Sequence, residues 1–146
     1  WYAIIKDTKI IGQTLNTQYV GGVIGDQDYN IWYVTVDNCQ IISKGNSVGG
    51  IAGRNGINSG HGAHYCYVKN SIIEGNSRVG GIYGEIHDGY IEFNLVNAQI
   101  TAISDTAGGL AGYFDNKTMT AGSYYINMYI NGVVNTTVTA PTNVGG

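Results

Sequence analysis

The phrase Val48-Gly49-Gly50-Ile51-Ala52-Gly53 constrains this chain more than any other stretch, because it returns in altered form along most of its length. It recurs as Val20-Gly21-Gly22-Val23-Ile24-Gly25, Val79-Gly80-Gly81-Ile82-Tyr83-Gly84 and Ala107-Gly108-Gly109-Leu110-Ala111-Gly112, and in truncated form as Val144-Gly145-Gly146. From first Gly to first Gly the intervals are 28 (21 to 49), 31 (49 to 80), 28 (80 to 108) and 37 (108 to 145). A phrase repeated at such spacing implies one supersecondary unit stacked on copies of itself.

In each full copy an apolar residue precedes the Gly pair, and an aliphatic residue stands three positions after it, as Val48 and Ile51 do. On an uninterrupted strand, residues three apart point to opposite faces and cannot enter one core. The pairs at 21–22, 49–50, 80–81, 108–109 and 145–146 therefore read as corners. There, positive φ and close backbone approach let the chain bend while both side chains turn inward. The third glycine (Gly25, Gly53, Gly84, Gly112) is expected to close a short strand. Ordinary loop glycines, in a chain with 23 Gly among 146 residues, would not repeat the apolar flanks.

Between the corners lie short β-type runs. Ile31 to Val36, Cys39 to Ser43, His64 to Val68, Ser71 to Glu74, Tyr90 to Val96 and Ala98 to Ile103 are rich in β-branched and aromatic residues. Aligned on the Gly pair, Ile41, Ile72 and Ile100 each fall eight residues before it, which predicts a column of stacked side chains. No segment has sustained helical periodicity. The expected fold is all-β, a parallel β-solenoid (β-helix) of about five coils with roughly three short strands per coil, occupying 1–146 as a single repeat domain. A β-sandwich is the rival, although its strands need not repeat a phrase.

With Gly45-Asn46-Ser47 and Gly75-Asn76-Ser77 just ahead of the corners, the repeated phrase resembles the GLUG motif. That motif occurs in tandem in large bacterial surface and secreted proteins, including some immunoglobulin A proteases. The resemblance spans four full copies and one partial copy. It implies an extracellular or cell-surface repeat region and carries no catalytic residues.

Charged residues make up 12% of the chain and the net charge is −3, so there is no basic footprint for nucleic acid or an anionic membrane. No apolar run approaches the ~18 residues of a membrane span. The chain opens at Trp1 without a leader and stops inside its own motif, so it reads as a piece of a longer one. Cys39 lies ten residues before its Gly pair and Cys66 fourteen before the next. That offset places them too far apart for a disulfide without rearrangement, and two buried or half-buried free thiols are expected.

The loops after the third glycine are where ligands would bind. His61 and His64 have a spacing that can hold a metal, with His87 elsewhere, but nothing local completes the set and the exposed-loop reading outweighs a zinc site. Asp26, Asp28, Glu85, Asp88 and Asp115 follow the same glycine in three coils. They either line one side of the stack, to bind calcium or act on a sugar, or serve as turn formers, the heavier reading. Tyr65, Tyr67, Tyr90, Tyr124 and Tyr125 are candidate glycan platforms or cross-coil ladders. Asn116 and Asn135 head Asn-x-Thr sequons. There is no Gly-x-Ser-x-Gly and no other catalytic constellation, so no cofactor is expected.

The function expected first is non-catalytic: an extracellular structural or adhesive repeat, acting as a rigid stalk or filament-forming subunit. Its solenoid ends would be covered by flanking repeats or by self-association. The alternatives are a glycan- or protein-binding accessory module of a large secreted protease and a β-helix carbohydrate-active enzyme.

Overall fold

The computed structural model describes residues 2–56, 61–114, 126–129 (backbone) and 131–145. These residues contain strands and turns and no helix. All strand pairs are parallel and join successive coils, which makes the chain a β-solenoid with four walls.

The first wall is broad and bent. It stacks Ala3–Lys6, Val34–Asp37, Tyr67–Gly75, Leu95–Ala102 and Gly132–Val133, with Lys9–Gly12, Gln40–Ser43 and Thr137–Thr139 continuing it past the bend. The second wall stacks Val20–Gly21, Asn46–Gly49, Ser77–Gly80, Ala107–Gly108 and Val144–Gly145. The third stacks Ile24–Gln27, Ala52–Asn55, Tyr83–Ile86 and Ala111–Phe114. The fourth stacks Ile31–Trp32, Gly62–His64, Gly89–Glu92 and Ile126–Tyr129. The two four-deep walls advance through three turns, fewer than the expected five coils. Each coil carries four or five strands instead of three, because a separate strand lies on each side of the Gly corner. Val79 to Gly84 is thus the end of one strand and the start of another.

The chain turns from the second wall into the third at the glycine pairs 21–22, 49–50, 80–81 and 108–109, while Gly146 of the last pair lies outside the described residues. Val48, Ile51, Val79 and Ile82 are all buried, on both sides of the bend. The corners at 21–22, 49–50 and 80–81 also repeat one hydrogen-bond pattern. The Ile51 carbonyl accepts from the N–H groups of Val23 and Ile24, the Ile82 carbonyl from Ile51 and Ala52, and the Leu110 carbonyl from Ile82 and Tyr83. Among the described glycines only Gly89 has a positive φ (108°), so the corners do not use the left-handed freedom expected of them. What they need is the missing side chain. A Cβ on Gly50 would stand 2.9 Å from both Val68 methyls and collide with the Gly81 carbonyl. The third glycine does not close a strand either. Gly25, Gly53, Gly84 and Gly112 are each the second residue of a third-wall strand, which also draws Asp26 and Gln27 out of the expected loop.

The core is a set of axial columns. Ile10, Ile41, Ile73, Ile100 and Val138 form one, and Ile5, Val36, Val68, Val96 and Val133 another. Ile73 replaces the expected Ile72. Ile73 is 0% exposed, whereas Ile72 points outward and is 37% exposed. The turn from Glu74 to Ser77 is one residue shorter than its counterpart from Ile42 to Asn46, so counting back from the Gly pair lands one residue early.

The remaining bends use single left-handed residues that are not glycine. Asp7, Asn38, Asn70 and Asn135 (φ 48–54°) bend the first wall, and Tyr33, Tyr65 and Phe93 (φ 54–56°) turn the fourth wall into it. Asn and Asp tolerate this region and aromatics do not, so the second set must be held by its surroundings. The fourth coil passes from Asn97 to Ala98 with no such residue, which is the register shift opposite Asn70.

Candidate functional site

Three side-chain columns contain the residues singled out in the sequence. The first is aromatic. Tyr33 and Tyr65 stack with ring centroids 5.1 Å apart, and Tyr65 and Phe93 at 4.8 Å with an 8° interplanar angle. Tyr65 therefore has a neighbour on both ring faces, and its face is not open to a sugar. Stacking of this kind contributes about 0.5–1.5 kcal/mol per pair and helps hold the left-handed corners. Tyr67 is exposed on the first wall and Tyr90 is half-buried on the fourth, so these tyrosines do not form one platform.

The second column adjoins it on the fourth wall, where Trp32, His64 and Glu92 are in register. Trp32 lies flat on the His64 ring, with centroids 3.9 Å apart and planes 10° apart. His64 is buried rather than in an exposed loop. Its Nδ1 is 3.0 Å from Glu92 Oε2, and its Nε2 is 3.2 Å from Asn30 Oδ1, which also accepts the Gly62 N–H at 2.8 Å. Both ring nitrogens thus face oxygen atoms of the protein. His61 is half-buried, with its ring 5.6 Å from that of Tyr29. The two histidines therefore sit in separate settings. Among the described residues no three His, Cys, Asp or Glu side chains converge as metal ligands would.

The third column, on the third wall, runs Asp26, Arg54, Glu85, Tyr113. Arg54 forms an ion pair with Asp26, donates to Tyr19 Oη at 3.0 Å, and stacks its guanidinium 4.1 Å above the Tyr19 ring. Glu85 is 4% exposed. Its Oε2 accepts from Ser47 Oγ at 2.8 Å and Arg78 Nη1 at 2.6 Å, and its Oε1 is 2.6 Å from His87 Nε2. Burial pushes the Glu85 carboxyl upward, but the hydrogen bonds from Ser47 and Arg78 and the nearby charges outweigh it and hold the group below its ordinary value. Asp28 is exposed and Asp88 buried, so the carboxylates are spread between an outer face and the interior. Asp115, Asn116, Tyr124 and Tyr125 lie outside the described residues.

Cys39 and Cys66 are buried, unpaired and in different columns. Cys39 is at the first-wall bend, beside Ser71, whose Oγ accepts the Cys39 N–H at 3.1 Å. Cys66 is at the aromatic corner, where Asn94 Oδ1 accepts its N–H at 2.8 Å and Asn94 Nδ2 donates to the Ala63 carbonyl. Burial raises the Cys66 thiol above its ordinary value and keeps it protonated. Asn135 is exposed, but the hydroxyl of its sequon partner Thr136 donates inward to the Val134 and Val96 carbonyls.

Sequence reasoning missed Arg54, Arg78, Asn30 and Asn94. The first was within reach: Asp26, Arg54, Glu85 and Tyr113 each stand five residues after the first Gly of their pair. No family model, curated protein or solved structure matches this chain.

Proposed function

We propose that this chain is a non-catalytic, rigid rod segment of an extracellular protein, serving to space or display what it is joined to. The observation that carries the reading is the continuity of the axial columns. Apolar, aromatic, ionic and backbone ladders all run the same way, and each described coil is held chiefly by the coil above and below it. Such quasi-one-dimensional stacking gives stiffness along the axis. Three of the side chains weighed for catalysis or metal binding are engaged by charged neighbours: Asp26 by Arg54, Glu85 by Arg78 and His64 by Glu92. The likeness of the Gly phrase to the GLUG motif supports the surface setting.

Among the described residues the outermost first-wall strands pair on one side only, at Ala3–Lys6 and at Gly132–Val133. In this reading, further repeats or a second copy cover those edges, since open parallel edges recruit strands. The test is electron microscopy of the native protein that contains this segment. A continuous rod or filament with a regular axial repeat is expected. A globular particle in which the segment lies folded against another domain would overturn the reading.

A further inference from the structure

The outer face of the first wall is not flat. Two cavities, of about 280 and about 300 Å³, lie along its bend and share Asn70 and Ile72, so they form one groove running with the solenoid axis. The groove follows the bend, where Asp7, Asn38, Asn70 and Asn135 take the left-handed conformation and Asn97–Ala98 passes without it. One flank is the outward row Lys9, Gln40, Ile72, Gln99, Thr137, one residue from each of five stacked strands in register. At one rung per ~4.8 Å, the row is about 19 Å long. We infer that this groove binds a neutral, linear polysaccharide laid along the solenoid axis.

The chemistry of the lining selects that ligand. The Gln40, Gln99 and Thr137 side chains make no hydrogen bond to other described residues, and Gln40 and Gln99 are separated by Ile72, so they do not form an amide ladder with each other. Amides and a hydroxyl offer donors and acceptors together, as sugar hydroxyls require. Ile72 supplies an apolar patch between them for the C–H face of a sugar ring. Charge is nearly balanced, with Asp7 and Lys9 both lining one end, which disfavours a polyanion such as nucleic acid. An extended peptide is a poor fit. Along the middle of the groove the backbone of Gln40–Ser43, Tyr67–Gly75 and Leu95–Ala102 already pairs with the strands on either side, leaving no groups there for strand addition. Each unit of an extended pyranose chain advances by about as much as one rung, so neighbouring rungs can meet neighbouring sugars. The inference does not depend on the rod reading, since a groove of this kind would serve a stalk or an isolated module equally.

The experiment is affinity gel electrophoresis of the 146-residue chain in gels containing hydroxyethylcellulose, arabinoxylan or galactomannan, with polygalacturonate as the charged control. Retardation by at least one neutral polymer is expected. The double variant Gln40→Ala/Gln99→Ala should weaken that retardation at least tenfold while its circular dichroism and melting stay unchanged, both residues being exposed on the wall surface. Tyr29→Ala, beyond the third wall and away from the groove, should leave it unchanged. Migration unaffected by all three neutral polymers, retardation by polygalacturonate alone, or retardation that survives the double variant would each overturn the assignment.

Discussion

Arg78 and Glu85 stand on opposite sides of the Gly80-Gly81 corner, with Arg78 Nη1 2.6 Å from Glu85 Oε2. The corner folds the second wall onto the third and brings a charge from each into contact, with the Arg78 guanidinium also stacked 4.6 Å above the Tyr113 ring of the next coil. Glu85 is the buried member, so it depends on the contact more than its partner does.

The dependence has a pH signature. Because the folded protein holds the Glu85 carboxyl below its ordinary value, the stabilisation is fully present above the carboxylate range of the unfolded chain. It is lost as pH falls from there through the lower, folded value. Arg78→Ala should cost about 2 kcal/mol at neutral pH, less than a fully buried pair because the arginine is partly exposed. It should also flatten the fall in stability below the ordinary glutamate range. Denaturant midpoints from neutral to acid pH check this, and an unchanged acid limb would sink it.

Register gives the second prediction. Ile73→Ala should cost about 3 kcal/mol, since Ile73 is in the closed column with Ile41 and Ile100. Ile72→Ala should cost about 0.5 kcal/mol or less, because Ile72 faces outward. Thermal melts of the two variants decide the register. Equal losses, or a larger loss at Ile72, would mean that the column runs as the motif count implies.

These two neighbours also mark how far the sequence can be read. The Gly phrase reveals the stacking, because the apolar residues on both sides of the corner repeat with it. It also leads to the Asp26–Arg54–Glu85 column, since those residues keep a fixed distance from it. Legibility ends where coils differ in length on the way to the corner. A turn shortened by one residue before Ser77 shifts the Ile column without leaving a mark in composition. Asn94 was illegible for another reason. It satisfies the Cys66 N–H and the Ala63 carbonyl, residues 28 and 31 positions earlier in the chain, and only the fold brings them together.

The glycines of the corner should separate by contact and not by conformation. Gly50→Ala should destabilise by about 3 kcal/mol or prevent soluble folding, because the added methyl meets Val68 and the Gly81 backbone. Gly145→Ala, where nothing stands within 4 Å of the added atom, should melt within about 0.5 kcal/mol of the parent chain. Comparable tolerance at both positions, measured by soluble yield and melting, would show that the corners are loosely packed.

Asn94→Ala should cost about 2–3 kcal/mol by leaving the Cys66 N–H and Ala63 carbonyl buried without their partner. The Cys66 thiol reports the same event. In the parent chain it should resist a thiol reagent such as Ellman's until the protein opens, being buried and held protonated. In Asn94→Ala its reaction should speed up in step with the lost stability. Rapid labelling of both cysteines in the native parent would contradict the burial on which the argument rests.

Tyr65 distinguishes a ladder from a ligand platform. Its left-handed backbone is unfavourable for an aromatic residue, and the rings of Tyr33 and Phe93 on its two faces offset that strain. Tyr65→Ala removes both stacks and keeps the strain, so a loss of about 2–3 kcal/mol is expected, with a marked drop in the near-ultraviolet circular dichroism of the coupled rings. Tyr65→Asn also removes the stacks but tolerates the backbone, and should recover roughly 1 kcal/mol of that loss. Retardation by neutral polysaccharide should survive in Tyr65→Asn, because the groove is at the bend of the first wall and the ladder at its edge. Loss of retardation in Tyr65→Asn with stability largely kept would return the sugar-binding role to the tyrosines.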